Sequence, residues 1–476
     1  MNRITAPAKW LCVVYWFLVV VPTRADDVKG VVKNIPTPAH RNVMVQLFNW
    51  KFKEIEQVLP KLKQLGYSHV HVSPPQKSNE KVWQWWGRYQ PIDFSVISGP
   101  LGSEDDFKKM NEAADSNGVN IVVDIVLSHT SDVTEMPEPD FVTFNNDVIV
   151  SEKFPQFDPG DFHRRCNIND GDVNSVRTCW LSNALADLKT ESPHVRGIAK
   201  DYLKKLVGLG VDGFRFDAAK HIEPDFFGEV LHDVPNAYAF GEVIASDSGS
   251  FPQIDALDFY DFPLVATMRR AFGFGGDLRD LKNAVQNHHA LPGPKAVTFV
   301  RNHDIDRGEA GDRGLDDNSL DTFGVGWNRQ SHTLDRTDVI LAYAYIFGRE
   351  DGLPYVFADM PTLPPNEQDD HFDNEQLAAF IRFHNLCLSG ENGVDRRPDI
   401  YRIETANAIG WQRGTDRFVV INKAAETFPI RNLVTSLRPG KYAEVHHGWD
   451  MDVQSDGKIK EWDVPGRSAM MVVPKP

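Results

Sequence analysis

The stretch VDGFRFDAAKH, residues 211–221, holds a short apolar run, Gly213 to Phe216, that ends in an acid, Asp217. Arg215 precedes that acid by two positions, so in an extended chain both side chains project from the same face. A continuous aromatic run of this kind suits a strand buried on both faces of a parallel sheet. An ionisable group at its carboxyl end stands where an α/β barrel carries its chemistry. Further strands of the same kind should therefore lie on either side, separated by helices.

Seven segments meet that expectation: Val43–Phe48, Ser68–Ser73, Asn120–Leu127, Tyr238–Val243, Leu257–Phe262, Ala296–Arg301 and Leu353–Ala358. Between the first two, Phe52, Ile55, Leu59, Leu62 and Leu65 recur at helical spacing until Gly66 stops the pattern. Similar amphipathic stretches cover Glu104–Ser116, Val195–Val207, Leu278–Asn287 and Thr337–Phe347. Eight strand candidates alternating with helices predict a closed (β/α)8 barrel of the TIM type. An open doubly wound sheet is the alternative, but no Gly-rich nucleotide fingerprint follows the first strand.

Two regions break the alternation. Residues 130–193 form a long polar, aromatic and Pro/Gly-rich connection after the third strand, which reads as an inserted subdomain. Residues 389–476 carry short alternating segments such as Ile409–Gln412, Phe418–Asn422 and Ala443–His447, and read as an antiparallel β domain. The barrel then takes residues 26–129 and 194–388. Residues 1–25 have a basic start at Arg3 and Lys9, an apolar run from Trp10 to Val21 and a small-residue end at Ala25, the order of a secretory signal peptide. The run is too short to span a bilayer.

Loss of that leader removes Arg3, Lys9 and Arg24 and no acid, moving the net charge from −16 to −19. Such an acidic chain is a poor partner for nucleic acid or an anionic membrane and is compatible with a neutral polysaccharide. Cys12 leaves with the leader. Cys166 and Cys179 close a short polar loop and can pair in a secreted protein. Cys387, in an apolar helical pattern, reads as a buried thiol. No oligomerisation pattern is present, so a monomer is expected.

Polar residues gather at the carboxyl ends of the strand candidates. The third supplies Asp124, Ser128 and His129; the fourth Arg215, Asp217, Lys220 and His221; the fifth Glu242; the seventh Asn302, His303 and Asp304. One strand-end acid is as readily an ion-pair partner or a helix cap. Several converging on one mouth are costly to bury unless chemistry uses them. Carboxyls without a nucleophilic Ser or Cys point to glycosidic chemistry, in which one protonates the leaving oxygen and another attacks the anomeric carbon. Arg215 is expected to keep Asp217 ionised as a nucleophile, and the apolar neighbours Phe240 and Val243 suit Glu242 to the role of proton donor.

These motifs resemble the four short signatures of the α-amylase family, in the same order and over nearly the whole chain after the leader. The resemblance implies a barrel, an inserted domain after the third strand and a C-terminal β-sandwich. It implies Asp217 as nucleophile, Glu242 as general acid/base and Asp304 as the third carboxylate. His129, Arg215, Lys220, His221 and His303 match groups that position substrate. Trp85, Trp86, Tyr89 and Gln90, in QWWGRYQP, resemble a sugar-stacking platform; a plain aromatic cluster is the structural alternative. Calcium is implied at Ser128, Asp187 and the carbonyls of Arg177 and His221, although the family usually has Asn where this chain has Ser128. Chloride is implied at Arg215, Asn302 and Arg349. The implied activity is secreted endo-hydrolysis of α-1,4-glucosidic bonds in starch or glycogen with retention. An exo-acting hydrolase or transglycosylase of the same family is the nearest rival, and a non-catalytic glucan-binding protein the more distant one.

Overall fold

The structure is a computed structural model that describes residues 42–80, 82, 84–132, 142–144, 147–149, 154–305, 334, 336–359, 372–388 and 398–475. The leader expected over 1–25 and the polar stretch after the seventh strand, residues 308–330, lie outside the described residues. Among the described residues no helix is long and apolar enough to cross a membrane.

All eight barrel strands form where the apolar runs predict them. They are β1 (Met44–Leu47), β2 (His69–Val72), β3 (Asn120–Ile125), β4 (Gly213–Phe216), β5 (Tyr238–Gly241), β6 (Asp258–Tyr260), β7 (Ala296–Phe299) and β8 (Leu353–Ala358). The pairing is parallel and in sequence order, and β8 closes on β1 with Met44 opposite Tyr355 and Leu47 opposite Ala358. Closure removes both sheet edges, and nearly every strand residue is buried.

The helices are α1 (Phe52–Leu65), α2 (Glu104–Asn117), α3 (Val173–Thr178), α4 (Pro193–Gly208), α5 (Pro224–Leu231), α6 (Phe262–Phe272), α7 (Arg336–Gly348) and α8 (Glu375–Leu388). Local signals fix their ends. Gly66 caps α1 at φ +100°, and a Cβ there would meet Asn385 Nδ2 at 2.8 Å. Ser103 caps α2 by accepting from Asp106 N–H, and Ser192 caps α4 ahead of Pro193. The helix expected over Leu278–Asn287 is instead a 3-10 turn, Leu278–Leu281, followed by turns. Lys282 is extended and Asn283 is left-handed, so Leu278 and Leu281 reach the core without a continuing helix.

The C-terminal sheet contains β9 (Asp399–Glu404), β10 (Ala408–Arg413), β11 (Arg417–Asn422), β12 (Phe428–Val434), β13 (Gly440–Glu444), β14 (Asp450–Val453), β15 (Lys458–Val464) and β16 (Ser468–Pro474). They lie in the order β9-β10-β11-β16-β13-β14-β15-β12, all antiparallel. Alternation assigns the faces. Val419, Ile421 and Met471 join the barrel's core, while Phe418, Val420, Met470 and Val472 pack with Ile430, Ile459 and Trp462 from the sheet's other half. The sheet thus encloses a core of its own between its halves, in the manner of a sandwich.

Candidate active site

Arg215 projects from the middle of β4 into the barrel and is fully buried. Its Nη1 lies 2.7 Å from Asp124 Oδ1 and 2.8 Å from Asp217 Oδ1, and its Nη2 lies 2.5 Å from Glu242 Oε1. One guanidinium therefore holds three carboxyls, from the ends of β3, β4 and β5. Ala218, in the left-handed region at φ 47°, turns the chain directly after Asp217. That turn sets the Ala219 N–H to donate to the Glu242 carbonyl at 2.9 Å, which ties the two strand ends together. A left-handed alanine is strained, and such strain persists where the surroundings enforce it.

Asp304 follows β7, with its side chain 34 % exposed and its Oδ2 3.4 Å from His303 Nε2. His303 Nδ1 accepts from the Gln46 amide at 3.0 Å, so the proton belongs on Nε2, facing Asp304. The ring is sandwiched between Phe48, centroids 4.6 Å apart, and Tyr89, 5.2 Å apart.

Charge in this cluster departs from the simple expectation for Asp217. Burial pushes its carboxyl up to about 8, with Glu242 and Asp124 adding to the rise and Arg215 opposing it. Asp304 is also raised well above the usual carboxylate range, by burial and then by Glu242. Asp124 is the carboxyl that Arg215 wins over: burial would raise it, but Arg215 and His71 hold it well below the ordinary value. One guanidinium serves several acids here, so they titrate as a coupled set rather than one by one.

The aromatic stretch 84–90 lies against this cluster. Trp85 and Trp86 are half-buried, their rings edge-to-face at 5.7 Å. Tyr89 is buried and its hydroxyl donates to Asp124 Oδ2 at 2.8 Å. Gln90 sits beneath the platform: its Oε1 accepts from Ser131 Oγ at 2.9 Å and Asp132 N–H at 3.2 Å. His129 likewise lines the wall with both nitrogens engaged, Nδ1 to Ser128 Oγ at 2.7 Å and Nε2 to the Tyr89 carbonyl at 3.0 Å. Burial lowers it to about 4, so its ring is neutral. Lys220 and His221 turn from the cluster to the insertion. Lys220 pairs with Asp170 at 3.7 Å, and His221 Nδ1 donates to the Val176 carbonyl in α3 at 2.7 Å.

The insertion contains the Cys166–Cys179 disulfide, and Cys387 is a free buried thiol. His129–Asp132 pairs antiparallel with Leu185–Asp187, which joins the insertion to the barrel. At this joint stand the positions implied for calcium. Asp187 is buried, and burial pushes its carboxyl up to about 7 although His163 Nδ1 lies 2.7 Å away. A buried acid of this kind gains from a cation. The Ser128 hydroxyl is engaged by His129, which leaves Asp187 as the side chain among the implied calcium positions with an acid to offer. Among the described residues another cluster, Asp158, Asp161 and His194, has metal-type proximity. There Asp161 Oδ2 accepts from Asp158 N–H at 2.8 Å and meets His194 Nδ1 at 2.8 Å, as an internal cap.

The chloride set does not come together. Arg215 and Asn302 are both buried at the site, but Arg349 lies between α7 and β8, four residues before β8 begins. That is the end of the strand opposite the carboxyls. Its guanidinium lies 5.8 Å from the Tyr345 ring and faces Asp261 and Asp399, and its carbonyl accepts from Arg413 of the C-terminal sheet. The sequence reading also left Asp124 unassigned and missed His71, Tyr260 and Tyr355. Their signal was a polar residue inside an otherwise apolar strand, where the side chain must find a partner.

Residues 51–250 match the family model described as the alpha amylase catalytic domain. An alpha-amylase from Aeromonas hydrophila is 31 % identical over 426 residues, covering 81 % of this chain and 85 % of that protein. One from Tenebrio molitor is 31 % identical over 449 residues, covering 86 % and 89 %. The crystal structure of alpha-amylase I from Eisenia fetida superposes with a TM-score of 0.71 at 24 % identity, over 94 % of this chain and 99 % of that one. With three carboxyls gathered on one arginine at the mouth of a closed barrel, and identity running through most of these relatives' length, the chain belongs to the alpha-amylase family of glycoside hydrolases.

Proposed function

We propose that this chain is a secreted alpha-amylase that hydrolyses internal α-1,4-glucosidic bonds of starch or glycogen with retention. The observation that carries the reading is that Arg215 forms ion pairs with Asp217 and Glu242 at once. Two acids on one guanidinium stand close together, as a retaining pair must at roughly 5–5.5 Å, with little room for a water between them. Asp217 attacks the anomeric carbon while Glu242 gives its proton to the leaving glycosidic oxygen. Glu242 then takes a proton from water, whose oxygen replaces Asp217 on the sugar. Asp304, backed by His303, holds ring hydroxyls, and Trp85 and Trp86 offer flat faces to glucose C–H bonds. A related structure from Eisenia fetida is a maltohexaose complex, which supports a linear α-glucan as substrate. The acidic charge suits a neutral polymer. Calcium would be held by Asp187 with the carbonyls of Arg177 and His221, where it supplies a cross-link between insertion and barrel. We expect the enzyme to act as a monomer.

The test is the time course of products from soluble starch and maltoheptaose, with anomeric configuration followed by proton NMR. Early α-anomers of mixed length are expected. Glu242→Gln should lower kcat by about 10³-fold or more while its Tm stays close to wild type. No cleavage by folded wild type with calcium supplied would overturn the enzyme reading; β-anomers would overturn retention.

A further inference from the structure

The side chain of β8 that approaches Arg215 is Tyr355, not an arginine. Tyr260 Oη donates to Tyr355 Oη at 2.7 Å, and Tyr355 Oη donates to His71 Nδ1 at 2.8 Å. His71 must then carry its proton on Nε2, which faces Asp124 Oδ2 at 3.6 Å. Asp124 accepts from Arg215 through its other oxygen, and the Arg215 guanidinium lies 5.7 Å from the Tyr260 ring. Tyr260, Tyr355, His71, Asp124 and Arg215 are all fully buried. The run lines one side of the arginine and draws on β2, β3, β4, β6 and β8. Burial keeps His71 neutral and raises both phenols far above their ordinary range, so no member but Asp124 and Arg215 is charged.

An anion beside Arg215 needs a second cation to offset Asp124, Asp217 and Glu242; among the described residues the arginine matched to that place, Arg349, stands at the other end of β8. We infer that Tyr260, Tyr355 and His71 are positioning residues that hold Asp124 and Arg215 through uncharged contacts, and that this enzyme works without chloride. The His71 ring dipole, facing Asp124 at 3.6 Å, does the orienting that a bound ion would otherwise do. The activity arm of this inference rests on the amylase reading; its binding arm does not.

The experiment titrates sodium chloride against sodium acetate at constant ionic strength, following Tm, the 35Cl NMR line width and kcat/KM on maltoheptaose. No saturable change in Tm or line width is expected, and kcat/KM should move less than about twofold. Saturable stabilisation or broadening at millimolar chloride, or a tenfold activation, overturns the inference. If the wild type cleaves no glucan, the amylase reading fails while Tm and line width still decide this one. Tyr355→Phe should lower kcat about tenfold with KM within about twofold and remain indifferent to chloride. Should Tyr355→Phe not fold, Tyr260→Phe takes its place, with an expected loss of about threefold in kcat. Unchanged kcat in the folded variant overturns the positioning role.

Discussion

His384 sits 2 % exposed within α8, edge-on to Phe347 of α7 with ring centroids 5.9 Å apart. Burial, with Arg413 nearby, lowers its pKa to about 3. The unfolded chain takes up that proton near pH 6.5, so between pH 6.5 and about 3 the unfolded state binds more protons. Stability present above pH 6.5 is therefore lost on acidification, on the order of 4 kcal/mol from this one ring. His384→Phe should flatten the fall of Tm between pH 6.5 and 4; an equally steep fall would count against the assignment. The same scale shows what a single strand conceals about Asp217. Sequence places Arg215 beside it but cannot reveal that Asp124 and Glu242 compete for the same guanidinium, since those partners come from other strands.

At the scale of elements, the eight barrel strands were legible because burial on both faces leaves an unbroken apolar run and function leaves an acid at its end. Helices α1, α2 and α4 were legible from one-sided periodicity; α7 was expected to be amphipathic as well, but residues 338–348 are buried on nearly every side. Helix α6 was not legible, because it is buried along nearly its whole length and so shows no polar stripe. The sixth strand was read too long for a related reason: Asp261 caps α6 and Phe262 begins it, so apolar residues continue through the change of structure. The partnership of Tyr355 with His71 spans 284 residues and leaves no local pattern. The turn 85–89 was legible as an aromatic platform, but the division of labour within it was not. Trp85 and Trp86 keep exposed surface while Tyr89 and Gln90 brace the floor. Trp86→Ala should accordingly raise KM about tenfold with kcat little changed. Tyr89→Phe should instead lower kcat, having lost its bond to Asp124. Steady-state kinetics on maltoheptaose separates the two.

For the whole molecule, the contact between barrel and C-terminal sheet determines how the parts unfold. Lys423 Nζ donates to the carbonyls of Ala271, at 2.7 Å, and Gly276, at 2.6 Å, near the carboxyl end of α6. Trp411 Nε1 donates to the Gly348 carbonyl at 3.0 Å, and Arg413 Nη1 to that of Arg349. These bonds cover carbonyls that a helix end leaves without partners. Lys423→Met keeps the stem and loses the donors, and should cost about 2–4 kcal/mol, read as a lower Tm. Two separate calorimetric transitions in that variant would mean the sheet had become independent of the barrel; a single lowered one would mean they still unfold together.

The strand β16 lies between β11 and β13, at the centre of its sheet, although it is the last of that sheet's strands in the chain. A ribosome delivers residues in order, so the facing edges of β11 and β13 have no partner until the eighth strand has been translated. The same arrangement makes the finished sheet a check on completeness: a message cut short before Ser468 yields a barrel whose apolar flank stays open to chaperones and proteases.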